Sequence, residues 1–99
     1  MKKEVVQAVL KRSKGLCEVC KRHGEEIHHI VYGIGKRKEH ETIDSVVLLC
    51  QNCHRGTNGV HGKNGRELGL KLKRELQEKY FGMGYTEDKV RRMMGGKLY

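Results

Sequence analysis

Two stretches decide the fold, Glu26-Ile27-His28-His29-Ile30 and Val46-Val47-Leu48-Leu49-Cys50-Gln51-Asn52-Cys53-His54. In each, a short apolar run meets side chains that bind metals. Ile27, Ile30 and Val31 around two histidines predict a strand over 26–32, broken by Gly33 and Gly35. Val46 to Leu49 predicts its hairpin partner, and Cys50-x2-Cys53 follows at once. A pair of the same spacing, Cys17-x2-Cys20, lies upstream, with 29 residues between the two pairs. Two intervening residues let both thiolates reach one ion from a tight turn, and two such knuckles complete a closed tetrahedral zinc site. The alternative is two disulfides or free thiols. The apolar stretch from Val5 to Leu10 is too short for a secretory leader, is broken by Gln7 and has Glu4 beside it. A cytoplasmic, reducing setting is therefore expected, in which four cysteines favour metal.

Outward from these stretches the chain reads as helices. Lys3 to Arg12 carries Val5, Val6, Val9 and Leu10 on one side, and Gly15 ends it. Lys36 to Thr42 is a charged loop. His54 is expected to open a helix; Asn58, four residues on, and His61, seven on, would return to its face if that segment is helical. Gly56, Gly59, Gly62 and Gly65 make the same segment loop-like at least in part. Arg66 to Tyr80 is a stronger helix, with Leu68, Leu72 and Leu76 at every fourth position. Gly82 and Gly84 form a hinge, Thr86 caps a last helix through Met94, and Gly95–Gly96 stops it. The expected class is α+β: a core over 1–65 stapled by zinc, and a basic helical extension over 66–99 packed on it.

Composition agrees with a small stapled domain. Hydrophobic residues are 36% of 99, with one Phe and no Trp, so the core is thin and metal has work to do. Lys and Arg number 21 against 12 acids, a formal charge of +9, which points to a polyanionic partner. No run approaches transmembrane length, so no membrane role is expected. A single histidine is more often a surface or packing residue than a ligand; His23 and His40, in charged surroundings, are read as solvated. The grouping of His28, His29, His54 and His61 between and after the knuckles changes that balance.

Together these motifs resemble the HNH endonuclease family over about residues 16–62. The resemblance implies a ββα-metal core, a hairpin and a helix gripping one catalytic cation. It implies that His28 binds the cation, that His29 is the general base, and that His54 is a second ligand. A further ligand is His61 or Asn58. Asn58 stands at the family's commonest spacing and His61 three residues beyond it, within a His-Gly pair that often ends the motif; His61 is preferred slightly. Glu26, three before His29, is placed like an acidic residue of colicin-type nucleases, behind the metal ligands or in a strand-edge salt bridge. Arg55 could steady phosphate charge or be a solvated cation. One departure stands out, because Ser45 occupies the position of the family's middle Asn, which ties the hairpin loop. Serine has a shorter reach and fewer hydrogen bonds.

The implied cofactors are a structural zinc ion and a catalytic divalent cation: magnesium, manganese, nickel or zinc. Imidazole ligands favour the transition metals. The implied activity is hydrolysis of DNA phosphodiesters, nicking or cutting duplex and leaving 5′ phosphate and 3′ hydroxyl. Lys71 and Arg74, three apart on the leucine-striped helix and off its stripe, are expected to touch phosphates. The expected state is a monomer or weak dimer. Two other readings stay open. One is a noncatalytic zinc-stabilised DNA-binding module, favoured by the missing Asn and opposed by His28, His29 and His54. The other is an accessory protein of a phage packaging or replication assembly, with 66–99 binding a partner. The arrangement is also similar to small phage-encoded HNH proteins, which would place it in a bacterial host cell.

Overall fold

The computed structural model describes residues 2–31 and 42–99. Its elements are α1 (Lys3–Ser13), β1 (Glu26–His29), β2 (Val46–Leu49), α2 (Gln51–Arg55), α3 (Arg66–Gly82) and α4 (Glu87–Met93). The two strands pair antiparallel, with Ile27 opposite Leu48, His28 opposite Val47 and His29 opposite Val46. All four residues of β2 are buried, because the hairpin is covered on both faces. On one face Val46 and Leu48 pack with Val9 of α1. On the other, Val47 and Leu49 join Leu72, Leu76 and Tyr80 of α3 and Val90 and Met94 around α4.

Local chemistry sets the element ends. α1 stops where Lys14 and Gly15 adopt positive φ, 57° and 76°, with Lys11 and Arg12 in its last turn, where cations suit the helix dipole. β1 ends at His29, three residues short of the strand expected to reach Tyr32. Ile30 and Val31 bend away but stay buried in the larger cluster. Tyr32, Gly33, Gly35, His40 and the expected loop from Lys36 to Glu41 lie outside the described residues. α2 begins at Gln51, not at His54, because the Cys50 sulfur accepts the Cys53 amide at 3.4 Å and caps the helix three residues earlier.

The segment after Arg55 is not helical. The amides of Gly59, Gly62 and Gly65 bond the carbonyls of Gly56, Gly59 and Gly62 at 2.9, 2.8 and 3.1 Å, a spiral of three-residue turns. A Cβ on Gly62 would collide with the Gly56 carbonyl, and one on Gly65 with the Gly59 carbonyl. The close approach excludes side chains there. A shared helical face for His54, Asn58 and His61 therefore does not exist.

α3 carries the expected leucine stripe and extends it by one step to Tyr80, which is 2% exposed. The Tyr80 hydroxyl lies 3.4 Å from Thr42 Oγ1. Thr86 Oγ1 accepts the Lys89 amide at 3.2 Å, as an N-cap should. The Gln77 amide clasps the backbone of Tyr99, accepting from its N–H at 2.7 Å and donating to its carbonyl at 2.9 Å. No helix of the described residues is long and apolar enough to cross a membrane.

Because Leu76 sits at the centre of the larger cluster, Leu76→Ala should lower stability by about 2–5 kcal/mol. Urea unfolding of wild type and variant measures it, and a loss below ~1 kcal/mol would mean that α3 is not part of the core.

Candidate active site

The cysteine knuckles sit at two chain reversals. Cys17 and Cys20 follow α1, and Cys50 and Cys53 span the junction of β2 and α2. In each knuckle the first sulfur faces the amide of the second cysteine, at 3.5 Å for Cys17–Cys20 and 3.4 Å for Cys50–Cys53. All four sulfurs lie within 4.8 Å of one another, with Cys20 and Cys50 at 3.5 Å, and all four are free thiols. Burial pushes the Cys17 thiol up, but the backbone amides of Cys20, Cys50 and Val19 outweigh it and bring it down to about 6. Cys53 moves the other way, raised by burial and then by crowding against Cys50, Cys20 and Cys17. One thiolate is favoured here and further ones are opposed, and a dication removes that opposition. The donor set fits a closed tetrahedral zinc site.

A second cluster gathers three histidines from three places. His28 comes from β1, His54 from the end of α2, and His61 from the glycine spiral; one ring nitrogen of each lies within 4.8 Å of the others. Ring centroids are 5.3 Å apart for His28–His54, 5.0 Å for His28–His61 and 4.8 Å for His54–His61, all edge-on. The spiral is tied back at this point, since the His61 amide donates to the His54 carbonyl at 2.9 Å. His28 and His54 are buried and His61 is exposed. Burial, then the neighbouring charges of His61, His54, His29 and Lys73, push the His28 imidazole down to about 3. It therefore keeps a lone pair at neutral pH, as a metal ligand must.

Glu26 stands behind this cluster. Its Oε1 lies 3.1 Å from His54 Nδ1, a close approach that falls short of a hydrogen bond, and among the described residues that buried nitrogen has no other partner. Glu26 also accepts from Arg55 Nε at 3.0 and 3.1 Å and pairs with its Nη2 at 2.9 Å. Arg55, then His54, holds the Glu26 carboxyl below its ordinary value. The strand-edge salt bridge expected of Glu26 is present, and Arg55 rests on it with 64% of its side chain exposed.

His29 is not in the histidine cluster. It follows His28 at the end of β1 and is half-buried. Asn58 is exposed in the spiral. Ser45 is buried, and its hydroxyl oxygen accepts the Thr42 amide at 2.8 Å and donates to the Thr42 carbonyl at 3.1 Å. Its amide faces Thr42 Oγ1 at 3.2 Å, and its carbonyl accepts the Ile30 amide at 2.8 Å. Lys71 and Arg74 are exposed on α3, and His23 is exposed as expected. A groove of about 300 Å³ beside α3 is lined by Arg12, Asp44, Lys71 and Leu72 among others, with no histidine among its described residues. The histidine cluster instead reaches the surface through His61. Sequence reading missed Arg12 and Glu18, whose partners lie far along the chain.

The comparisons agree with this geometry. A family model described as HNH endonuclease matches residues 17–58, to which this stretch is similar. It takes in both knuckles, His28, His29 and His54, and stops short of His61. Within Escherichia coli (strain K12), the Type IV methyl-directed restriction enzyme EcoKMcrA is 34% identical over 71 residues, 61% of this chain and 24% of that protein. The chain thus spans about a quarter of the length of the curated relative it matches. No solved structure gives a significant match.

The four-sulfur site predicts about one zinc ion per folded, reduced chain, by elemental analysis. Cys17→Ser should give an unfolded or aggregating protein, because structural zinc contributes roughly 10–16 kcal/mol in finger-sized domains. A folded chain without tightly held zinc would refute the assignment.

Proposed function

We propose that this chain is a metal-dependent HNH-type endonuclease that hydrolyses DNA phosphodiesters with His29 as general base. The observation that carries the reading is the convergence of His28, His54 and His61 within 4.8 Å, next in sequence to His29. The net charge of +9 supports a polyanionic substrate.

In this reading His28, His54 and His61 hold the divalent cation, and the exposed Asn58 is not a ligand. The bound cation supplies Lewis acidity to the phosphate and to its leaving oxygen. His29 accepts a proton from the attacking water on a ring nitrogen, the role a positioned imidazole plays as general base. The bond to the 3′ oxygen breaks, leaving 5′ phosphate and 3′ hydroxyl. Glu26 orients the His54 ring and steadies Arg55, whose exposed guanidinium meets the DNA backbone. The missing Asn favours a noncatalytic DNA-binding module, and the presence of His28, His29 and His54 weighs against that reading.

Plasmid cleavage across magnesium, manganese, nickel and zinc, with EDTA as control, tests the reading. His29→Ala should cut activity by about 10²–10⁴-fold and leave metal affinity near wild type. His54→Ala should lose both together, and Asn58→Ala neither. Near-normal cutting by His29→Ala removes it as the base. The α3 cations have their own test. In a salt titration of duplex binding, Lys71→Ala/Arg74→Ala should reduce the log–log slope by about 0.9 per lost phosphate contact. An unchanged slope assigns α3 to packing or to a protein partner.

A further inference from the structure

Four hydrogen bonds leave the guanidinium of Arg12, at the end of α1. Nε and Nη2 fork onto the Glu18 carboxylate at 2.7 and 2.9 Å. Nη1 donates to the Ile43 carbonyl at 2.6 Å and Nη2 to the Val46 carbonyl at 2.9 Å. Glu18 belongs to the first cysteine knuckle and is bonded to β2 through both backbone and side chain. Its amide donates to the Leu48 carbonyl at 2.9 Å, and its Oε2 accepts the Leu48 amide at 2.8 Å. One side chain therefore joins the first helix, the zinc knuckle and the entry to β2.

The two carbonyls that Arg12 holds bracket Ser45. Val46 is the cross-strand partner of His29, and the Ser45 carbonyl accepts the amide of Ile30, the residue after His29. The backbone facing His29 is fixed on both sides of the position where the family has its Asn. The Ser45 hydroxyl bonds the Thr42 backbone, within its own turn. Arg12 reaches the same turn from 31 and 34 residues away.

We propose that Arg12 is a positioning residue of the nuclease, clamping the turn before β2 so that His29 keeps its working orientation, a task the family leaves to its Asn. The proposal rests on His29 being the base. A phosphate contact is a poorer account of Arg12, because its donors are committed to a carboxylate and two carbonyls. A purely stabilising latch is also poorer. The Arg12 and Glu18 side chains are 30% and 18% exposed, and part-exposed pairs add little to global stability. A lysine cannot replace the fork, since one ammonium cannot span a carboxylate and two separated carbonyls.

Arg12→Lys in the full, zinc-loaded chain tests this, with Arg12→Ala beside it. Expected for the lysine variant is a fall in kcat of roughly 10- to 100-fold, the scale of a small misplacement of a catalytic group. KM and zinc content should stay within about twofold of wild type. The Ile30 amide should exchange with solvent faster while the amides of α3 do not. Wild-type kcat overturns the proposal. So does a raised KM at unchanged kcat, which marks a DNA contact, and so does loss of zinc or global unfolding in the lysine variant, which marks a purely structural role. If wild type itself cuts with none of the metals, it is the nuclease reading that fails; exchange at Ile30 then shows separately whether Arg12 holds the turn.

Discussion

Four sulfurs within 4.8 Å of one another impose the constraint that the rest of the molecule obeys. They pin the turn after α1 to the end of β2, across a gap of 29 residues. A core this small could not close that loop securely by burial alone. The pinning has local effects as well. The Cys50 sulfur caps α2, which fixes where His54 falls. The knuckle that holds Cys17 also carries Glu18, through which α1 reaches the hairpin. The sulfur cluster and the histidine cluster are thus neighbours by construction, with Cys53 and His54 adjacent in the chain.

The second cluster works by a different balance. The sulfur site needs a cation to quench negative charge, whereas the histidine site must avoid acquiring positive charge. Burial keeps His28 neutral far below physiological pH. Among the described residues, the acid beside this cluster, Glu26, is shared between His54 and Arg55. That sharing ties a buried imidazole and an exposed guanidinium to one carboxylate, whose charge the guanidinium balances.

Much of this was legible in the sequence because its causes are local. Two residues between cysteines, alternation across the His28–His29 strand, a leucine every fourth residue along α3 and the Thr86 cap are all short-range chemistry. The path to His61 was not legible, because spacing alone suggested a helix and the glycine turns follow a period of three. The start of α2 was misplaced because a cysteine sulfur is an uncommon cap. The stripe runs one step beyond the leucines to Tyr80, whose hydroxyl meets Thr42 from 38 residues earlier in the chain. Arg12 could not be found at all, since its partners lie 31 and 34 residues onward and are backbone carbonyls without side-chain identity. Where Ser45 replaces the family's Asn, the sequence showed a loss and the structure a different set of bonds.

The glycine segment is tied at two ranges. Bonds of three residues link its glycines, and bonds of seven tie the Val60 and His61 amides to the Cys53 and His54 carbonyls. The place of His61 is thus set by the backbone of α2 and not by the free swing of a loop tip. A change of loop length between them must break both sets of bonds together, so spacing and anchoring are one property of this segment.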